Sequence, residues 1–192
     1  MGTAQQIKYQ GRVVFRLETE HLIIRDMQDT DEAAFVAISQ DEKYQRFYSE
    51  ADCSPSKYQE LTKLFVAQAK EHPRTSYQLA IEHKADGQFI GTVCLRVEND
   101  NQASIGCGLS RDYQGAGLIR EAAYALVNFG FSELDIHRVY AETISLNHGA
   151  IRLCRSLGMK QEAHFRENRF FKQRWWDTVV FAILRSDWKQ NR

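Results

Sequence analysis

Between Ser104 and Leu134 the hydrophobic period of the chain changes, and it changes across two glycines. Ser104 to Leu109 reads as a strand. Ile119, Ala122, Ala123, Leu126, Val127 and Phe131 then recur at the 3.6-residue spacing of an amphipathic helix ending near Leu134. The junction is Ser110-Arg111-Asp112-Tyr113-Gln114-Gly115-Ala116-Gly117. The first-turn N–H groups of such a helix lack intrahelical partners and carry the positive end of its dipole. Glycines beside them let the backbone come close to an anion, so the loop suits a pyrophosphate. Two familiar phosphate loops do not fit. The dinucleotide fingerprint would need a glycine where Arg120 stands, and the Walker pattern needs a Gly-Lys-Ser/Thr that the chain lacks. Taken alone, Gly-x-Gly is also an ordinary turn.

The flanking segments narrow the choice of fold. A strand-like stretch from Phe15 to Arg25 carries Leu22-Ile23-Ile24, and Asp29 caps a helix to Ser39 with Glu32 at the capping-box position. Ser54-Pro55 opens a second helix with Tyr58, Leu61 and Phe65 on one face. Tyr77, Leu79 and Ile81 alternate with polar residues up to the hairpin signal Asp86-Gly87. Phe89, Gly91, Val93, Leu95 and Val97 then form one face of the returning strand, and Glu98-Asn99-Asp100-Asn101 turns the chain back to Ser104. After the long helix come a strand over 138–145, a helix from His148 to Leu157 stopped by Gly158, and strands over 160–170 and 174–185. The order β-α-α-β-β-β-α-β-α-β-β predicts one mixed α/β domain over residues 1–192, without the regular alternation of a doubly wound sheet.

Charge and cysteines limit partners and compartment. The chain has 25 Lys+Arg and 25 Asp+Glu in 192 residues, which removes a general drive toward nucleic acid or anionic membrane. The balance hides an asymmetry: residues 138–192 carry 11 basic and 5 acidic side chains, leaving an acidic excess in the rest. Cys53, Cys94, Cys107 and Cys154 are scattered, with no Cys-x-x-Cys pair or Cys/His zinc spacing, so no metal is expected. Such cysteines read as reduced thiols of a cytoplasmic protein. Met1-Gly2-Thr3-Ala4-Gln5-Gln6 has neither the basic nor the apolar region of a signal peptide. The longest apolar run, Val179 to Leu184, is far short of the ~20 residues a bilayer requires. A cytoplasmic location without membrane or direct nucleic-acid partners is expected.

Several spaced motifs carry a family resemblance over nearly the whole chain. Gln114-Gly115-Ala116-Gly117, between a strand and a long helix, resembles the pyrophosphate loop of the GNAT N-acetyltransferases. Arg16-Leu17-Glu18-Thr19-Glu20-His21-Leu22 with Ile24-Arg25 is similar to the first strand of the branch acting on ribosomal-protein alanine or serine N-termini. Ile90-Gly91 with Ala103-Ser104-Ile105-Gly106, the stretch from Asn147 to Met159, Trp176-Asp177, and Ser186-Asp187-Trp188 also match that branch. The resemblance implies a mixed, mostly antiparallel sheet flanked by helices and splayed at the cofactor site, with acetyl-CoA as donor. Backbone groups of Cys107 and Leu109, with Gly108 between them, would pair with the pantetheine arm. Amides from Gln114, Gly115, Ala116, Gly117, Leu118, Ile119 and Arg120 would hold the pyrophosphate. Asn147 would contact the pantetheine or the thioester. Acetyl would pass directly to an amine.

The chain departs from the family pattern at three positions. Asp112 stands where Gln or Arg often begins the loop, Ser104 where the branch often has Glu, and Cys154 where many members have an acidic Tyr. Cys154 is therefore a candidate acid, although a helix-face cysteine is also an ordinary core residue. Glu142 and Glu167 are the candidate bases. An α-amino group of pKa near 8 is about a tenth neutral at pH 7, whereas a lysine-like amine of ~10.4 is below a thousandth. Weak base machinery thus suits a peptide N-terminus, such as that of a ribosomal protein, presented to a monomer or homodimer. The alternatives are a small amine (polyamine, amino acid or aminoglycoside) as acceptor, or a non-catalytic CoA-binding module. Trp175-Trp176 at strand spacing should place one indole on each face, and Arg166, Arg169, Lys172 and Arg174 read as a solvated cluster.

Overall fold

Alternation along β4 (Ser76–His83) shows how the molecule is layered. Leu79 and Ile81 are fully buried on one face of the sheet, while Ala80, between them, is fully buried on the other. The computed structural model describes residues 4–9 and 12–190, with side chains from 14 to 188. Part of the N-terminal hexapeptide, and the last two residues of the basic C-terminal stretch, lie outside those residues.

The other strands are β1 (Ala4–Tyr9), β2 (Arg12–Glu18), β3 (Leu22–Asp26), β5 (Phe89–Glu98), β6 (Gln102–Leu109), β7 (Arg138–Ile144), β8 (Lys160–Phe171) and β9 (Arg174–Leu184). The helices are α1 (Glu32–Ser39), α2 (Glu42–Gln45), α3 (Pro55–Gln68), α4 (Leu118–Glu133), α5 (His148–Ser156) and α6 (Arg185–Gln190). The strands form one sheet in the order β1-β2-β3-β4-β5-β6-β7-β9-β8. Every pairing is antiparallel except β6 with β7. The mixed α/β fold expected from the sequence is therefore present. Among the described residues no helix is long and apolar enough to cross a membrane.

One face is covered by α4, whose Ala122, Ala123, Leu126 and Val127 pack with Leu22, Ile24, Leu79, Ile81, Val93 and Leu95. Burying each of the larger aliphatic side chains contributes roughly 1.5–3 kcal/mol before conformational entropy is set against it. Gly130 lets α4 come close to β5, since a Cβ there would lie 2.9 Å from Leu95 Cδ2. The opposite face carries α1 and α3 through Phe35, Tyr58 and Phe65, with Phe35 edge-on to Tyr58 at 4.6 Å.

Local chemistry sets several boundaries as expected. Ser54 Oγ accepts the Lys57 N–H (3.3 Å) at the start of α3. Gly158 (φ +79°) ends α5 in a Schellman turn, with Met159 N–H bonded to Cys154 C=O and Gly158 N–H to Arg155 C=O, both at 3.0 Å. Other boundaries differ. The stretch from Phe15 to Arg25 is a hairpin, because the Thr19 N–H bonds Leu22 C=O (3.0 Å) and reverses the chain between β2 and β3. Asp29 does not cap α1. A 3-10 turn over Asp29–Asp31 precedes that helix, and the Asp31 carboxylate accepts the Gln28 N–H (2.8 Å) while the Arg25 guanidinium holds it at 2.8 and 2.9 Å. Phe89 leaves the face of Val93 and Leu95, since a bulge at Ile90 shifts the β4–β5 register and turns Phe89 toward Phe35. Neither α2 nor α6 is anticipated by periodicity.

The parallel seam positions the site. The β6–β7 ladder consists of Gln102↔Arg138, Ala103↔Val139 and Ser104↔Tyr140, although β6 continues to Leu109 and β7 to Ile144. Past those pairs the strands part, giving the expected splay. α4, which connects β6 to β7, and α5, which follows β7, pack on each other beside the opening.

Candidate active site

At the mouth of the opening, Gly117 is the N-cap of α4, and both it (φ +80°) and Gly115 (φ +90°) adopt left-handed backbone. An L side chain is strained there, and neither α-carbon has a neighbour within 4 Å of where a Cβ would lie. Among the described residues, the backbone N–H groups of Gly115 through Arg120 have no partner, whereas the next, Glu121, is bonded to Gly117 C=O (3.0 Å). This is a concave run of donors at a helix N-terminus, the arrangement that fits a pyrophosphate. Gln114 stands apart from that run. Its N–H is taken by Arg111 C=O (3.1 Å) and its Nε2 donates to Leu109 C=O (3.0 Å), so it tethers the loop to β6. Tyr113 secures the other side by donating its hydroxyl to Asp86 (2.8 Å) and packing edge-on to His83.

The free edge of β6 faces the gap. The Ser110 N–H bonds Ile90 C=O on β5 (2.7 Å). Because peptide groups alternate sides along a strand, Cys107 and Leu109 direct theirs away from β5. Cys107, Gly108 and Leu109 line a cavity of about 530 Å³ with Gln114, Gly115, Gly117, Leu118, Ile119 and Arg120. Ala116 is exposed at the tip of the loop. The charged side chains lining this cavity are Lys43, Arg120 and Arg152, with no carboxylate among the described residues.

Between β6 and β7 the cavity adjoins a cleft of about 140 Å³ lined by Cys107, Glu142, Asn147 and Cys154. Burial pushes the Cys107 thiol up to about 12 and the Cys154 thiol up to about 11. Both stay protonated at neutral pH, so neither is a thiolate nucleophile. On the far side lies a third cavity of about 430 Å³, lined by Phe47, Ser49, Asp52, Glu142, Arg169, Phe170 and Phe171. There Glu142 lies 3.8 Å from the Arg169 guanidinium, and Asp52 accepts the Ser49 hydroxyl at 2.7 Å.

Asn147 caps α5 by accepting the Ala150 N–H (3.2 Å), and it lines all three spaces. Among the described residues, the one other to do so is Tyr48, from the turn after α2. No motif in the sequence singles out Tyr48. Of the four predicted catalytic positions, Asn147, Cys154 and Glu142 meet around the cleft, whereas Glu167 does not join them. Glu167 sits where the β8–β9 register shifts between Phe165 and Arg169, has φ +51°, donates its N–H to Asp177 (2.8 Å) and is exposed.

The basic cluster is not uniformly solvated. Lys172 Nζ donates to Gln45 C=O (2.7 Å), Arg174 lies 3.8 Å above the Trp176 ring, and Arg169 enters the third cavity. Trp176 is buried and Trp175 exposed, as strand spacing predicts.

Residues 21–160 match the model of the acetyltransferase (GNAT) domain. The chain is 25% identical over 173 residues to an uncharacterized N-acetyltransferase, YnaD, of Bacillus subtilis, covering 90% of this chain and 98% of that one. It is 23% identical over 185 residues to the ribosomal protein uS5-alanine N-acetyltransferase of Escherichia coli, covering 92% and 94%. Its fold superposes with a TM-score of 0.76 on a spermidine N-acetyltransferase from Vibrio cholerae solved in complex with CoA and spermine, at 21% identity and 89% and 99% coverage. The chain thus belongs to the GNAT acetyltransferases, acyltransferases that use acetyl-CoA, and is itself an N-acetyltransferase.

Proposed function

We propose that this protein, a single acetyltransferase domain over residues 1–192, is a cytoplasmic enzyme that transfers acetyl from acetyl-CoA directly to the α-amino group of a protein N-terminus. The observation that carries the acceptor assignment is the third cavity, where Phe47, Phe170 and Phe171 surround two carboxylates, one of them already paired with Arg169. That lining suits an amine flanked by an apolar side chain and a peptide backbone. A polyamine would call for several unpaired carboxylates along its length. The E. coli relative that modifies a ribosomal-protein alanine supports the same acceptor class.

Each remaining element has a role in this reading. The amides of Gly115 through Arg120 bind the pyrophosphate, helped by Lys43, Arg120 and Arg152. Gln114 and Tyr113 hold that loop in shape. The outward peptide group of Cys107 and the Leu109 N–H pair with the pantetheine arm, the Leu109 C=O being held by Gln114, and bring the thioester to the cleft at Asn147. Glu142, which borders both the cleft and the acceptor cavity, takes the proton from the attacking nitrogen. Glu167 has no part in it.

Calorimetric titration with CoA, followed by acetyl transfer to a panel of N-terminal peptides, lysine-containing peptides and polyamines, tests the proposal. CoA binding with turnover confined to free peptide N-termini is expected. Failure to bind CoA removes the donor assignment, and turnover of polyamines with all peptides inert replaces the acceptor by a small amine.

A further inference from the structure

Tyr48 is held where donor and acceptor cavities meet, and the surrounding structure fixes its ring. The ring stacks on Tyr44, with centroids 5.5 Å apart and planes within 13°, and Tyr44 meets Tyr58 of α3 edge-on at 6.4 Å. Tyr44 in turn packs over Gly108 on the face of β6, since a Cβ on Gly108 would lie 2.8 Å from the Tyr44 hydroxyl oxygen. Both neighbouring segments are tied to the β8–β9 hairpin. Lys172 donates to Gln45 C=O at 2.7 Å, and Phe47 meets Trp176 edge-on at 6.0 Å.

The titratable groups nearest the Tyr48 phenol are Tyr44, Tyr58, Cys107 and Cys94. Tyr48 is 40% exposed as a residue, but desolvation of its phenol among them pushes the hydroxyl up to about 12, so it is a hydrogen-bond donor throughout the neutral range. The charged groups in the adjoining spaces are Lys43, Arg120 and Arg152 on the donor side and Asp52, Glu142 and Arg169 on the acceptor side. Cys154 borders the narrow cleft alone, whereas Tyr48 borders all three spaces.

We propose that Tyr48, and not Cys154, is the acid of the transfer: its hydroxyl gives its proton to the CoA sulfur as the carbon–sulfur bond breaks. The inference rests on the acetyl-transfer reading above. The amine lone pair forms the new carbon–nitrogen bond, and the carbon–sulfur bonding pair leaves with sulfur. Sulfur takes the Tyr48 proton and departs as the free thiol. The proton lost by nitrogen goes to Glu142 and returns through solvent to the Tyr48 phenolate. One proton moves from nitrogen to sulfur, and the enzyme is regenerated without any other reactant.

Tyr48→Phe keeps the stacked ring and removes only the hydroxyl. We expect kcat to fall about 100-fold, the scale of a lost general acid. The calorimetric Kd for CoA and the melting temperature should stay near wild type, and Cys154→Ala should retain most of kcat. A second variant gives a readout that a purely structural role would not move. Trifluorotyrosine at position 48 lowers the phenol pKa, so it should introduce an alkaline fall in kcat that wild type lacks. Full kcat in Tyr48→Phe, or an unchanged alkaline profile with trifluorotyrosine, overturns the assignment while the wild type remains an active acetyltransferase. A large loss in Cys154→Ala beside an active Tyr48→Phe transfers the role to the thiol. A wild type that neither binds CoA nor acetylates any amine overturns the transfer reading as well, which separates the two failures.

Discussion

The two large cavities that meet at Tyr48 and Asn147 are built from different materials. The first is made of backbone: a free strand edge, two left-handed glycines and a run of unpartnered amides, with Lys43, Arg120 and Arg152 at its margin. The second is made of side chains from segments distant in sequence: Phe47 and Asp52 after α2, Glu142 on β7, and Arg169 and Phe170 on β8. Main-chain donors recognise a phosphate whatever the neighbouring side chains are, so the first cavity suits a constant donor. Side chains on a turn and a hairpin can vary without disturbing the sheet, so the second suits a particular acceptor.

Four outcomes would break or sharpen that contrast. The largest is expected for Gly117→Arg, which puts a long side chain on left-handed backbone in front of the amide run. Losing two charge-assisted hydrogen bonds at about 1.5 kcal/mol each would raise the CoA Kd about 100-fold. A wild-type Kd in that variant would mean that the backbone cavity is not the donor site. Glu142→Gln should lower kcat by about 10- to 100-fold, toward the low end of general-base effects, with the CoA Kd unchanged. If the donor affinity falls instead, the two cavities are not separate in function. Phe170→Ala should raise the acceptor KM about 10-fold, as expected for about 1.5 kcal/mol of lost apolar contact, and leave the donor KM alone. An equal rise in both constants would erase the division.

The smallest effect concerns the frame behind the donor loop. Glu121, in the first turn of α4, accepts the His21 N–H and contacts His21 Nδ1, each at 2.8 Å. The Glu121 contact raises the His21 pKa above its ordinary 6.5, and hydrogen bonds from His21 and Thr19 lower that of Glu121 against the opposing effect of burial. The His21 contribution is complete below its unfolded pKa and is lost as pH rises through the higher folded value. The Glu121 contribution is complete above its unfolded pKa and is lost as pH falls through the lower folded value. The melting temperature of His21→Ala should therefore lie below that of wild type mainly at mildly acidic pH, and the gap should close toward pH 8. A gap independent of pH would leave only the Glu121 bond to the backbone.

The same contrast explains which parts of the site were legible in the sequence. The glycine loop was readable because its structure is local: strand, turn, Gly-x-Gly and helix occupy one continuous stretch from Ser104 to Leu134. Asn147 and Gly158, at the two ends of α5, were readable for the same reason. Tyr48 was not. It follows a helix of only four residues, too short to show a 3.6-residue period, and its position depends on Lys172 and Trp176, more than 120 residues away. The separation of Glu167 from the cleft was not legible, because a register shift leaves no mark on composition. The same holds for the bulge at Ile90 that separates Phe89 from Val93.

The sequence alone determined a mixed α/β chain of the GNAT kind, the helix that follows the glycine loop, and the glycines that loop requires. These depend on periodicity, capping and backbone freedom, which act over a few neighbouring residues. Tertiary structure decided where β6 and β7 part, which carboxylate borders the gap, and which tyrosine stands between the two large cavities. Those outcomes depend on how distant segments pack against one sheet, and such packing follows from the whole fold at once.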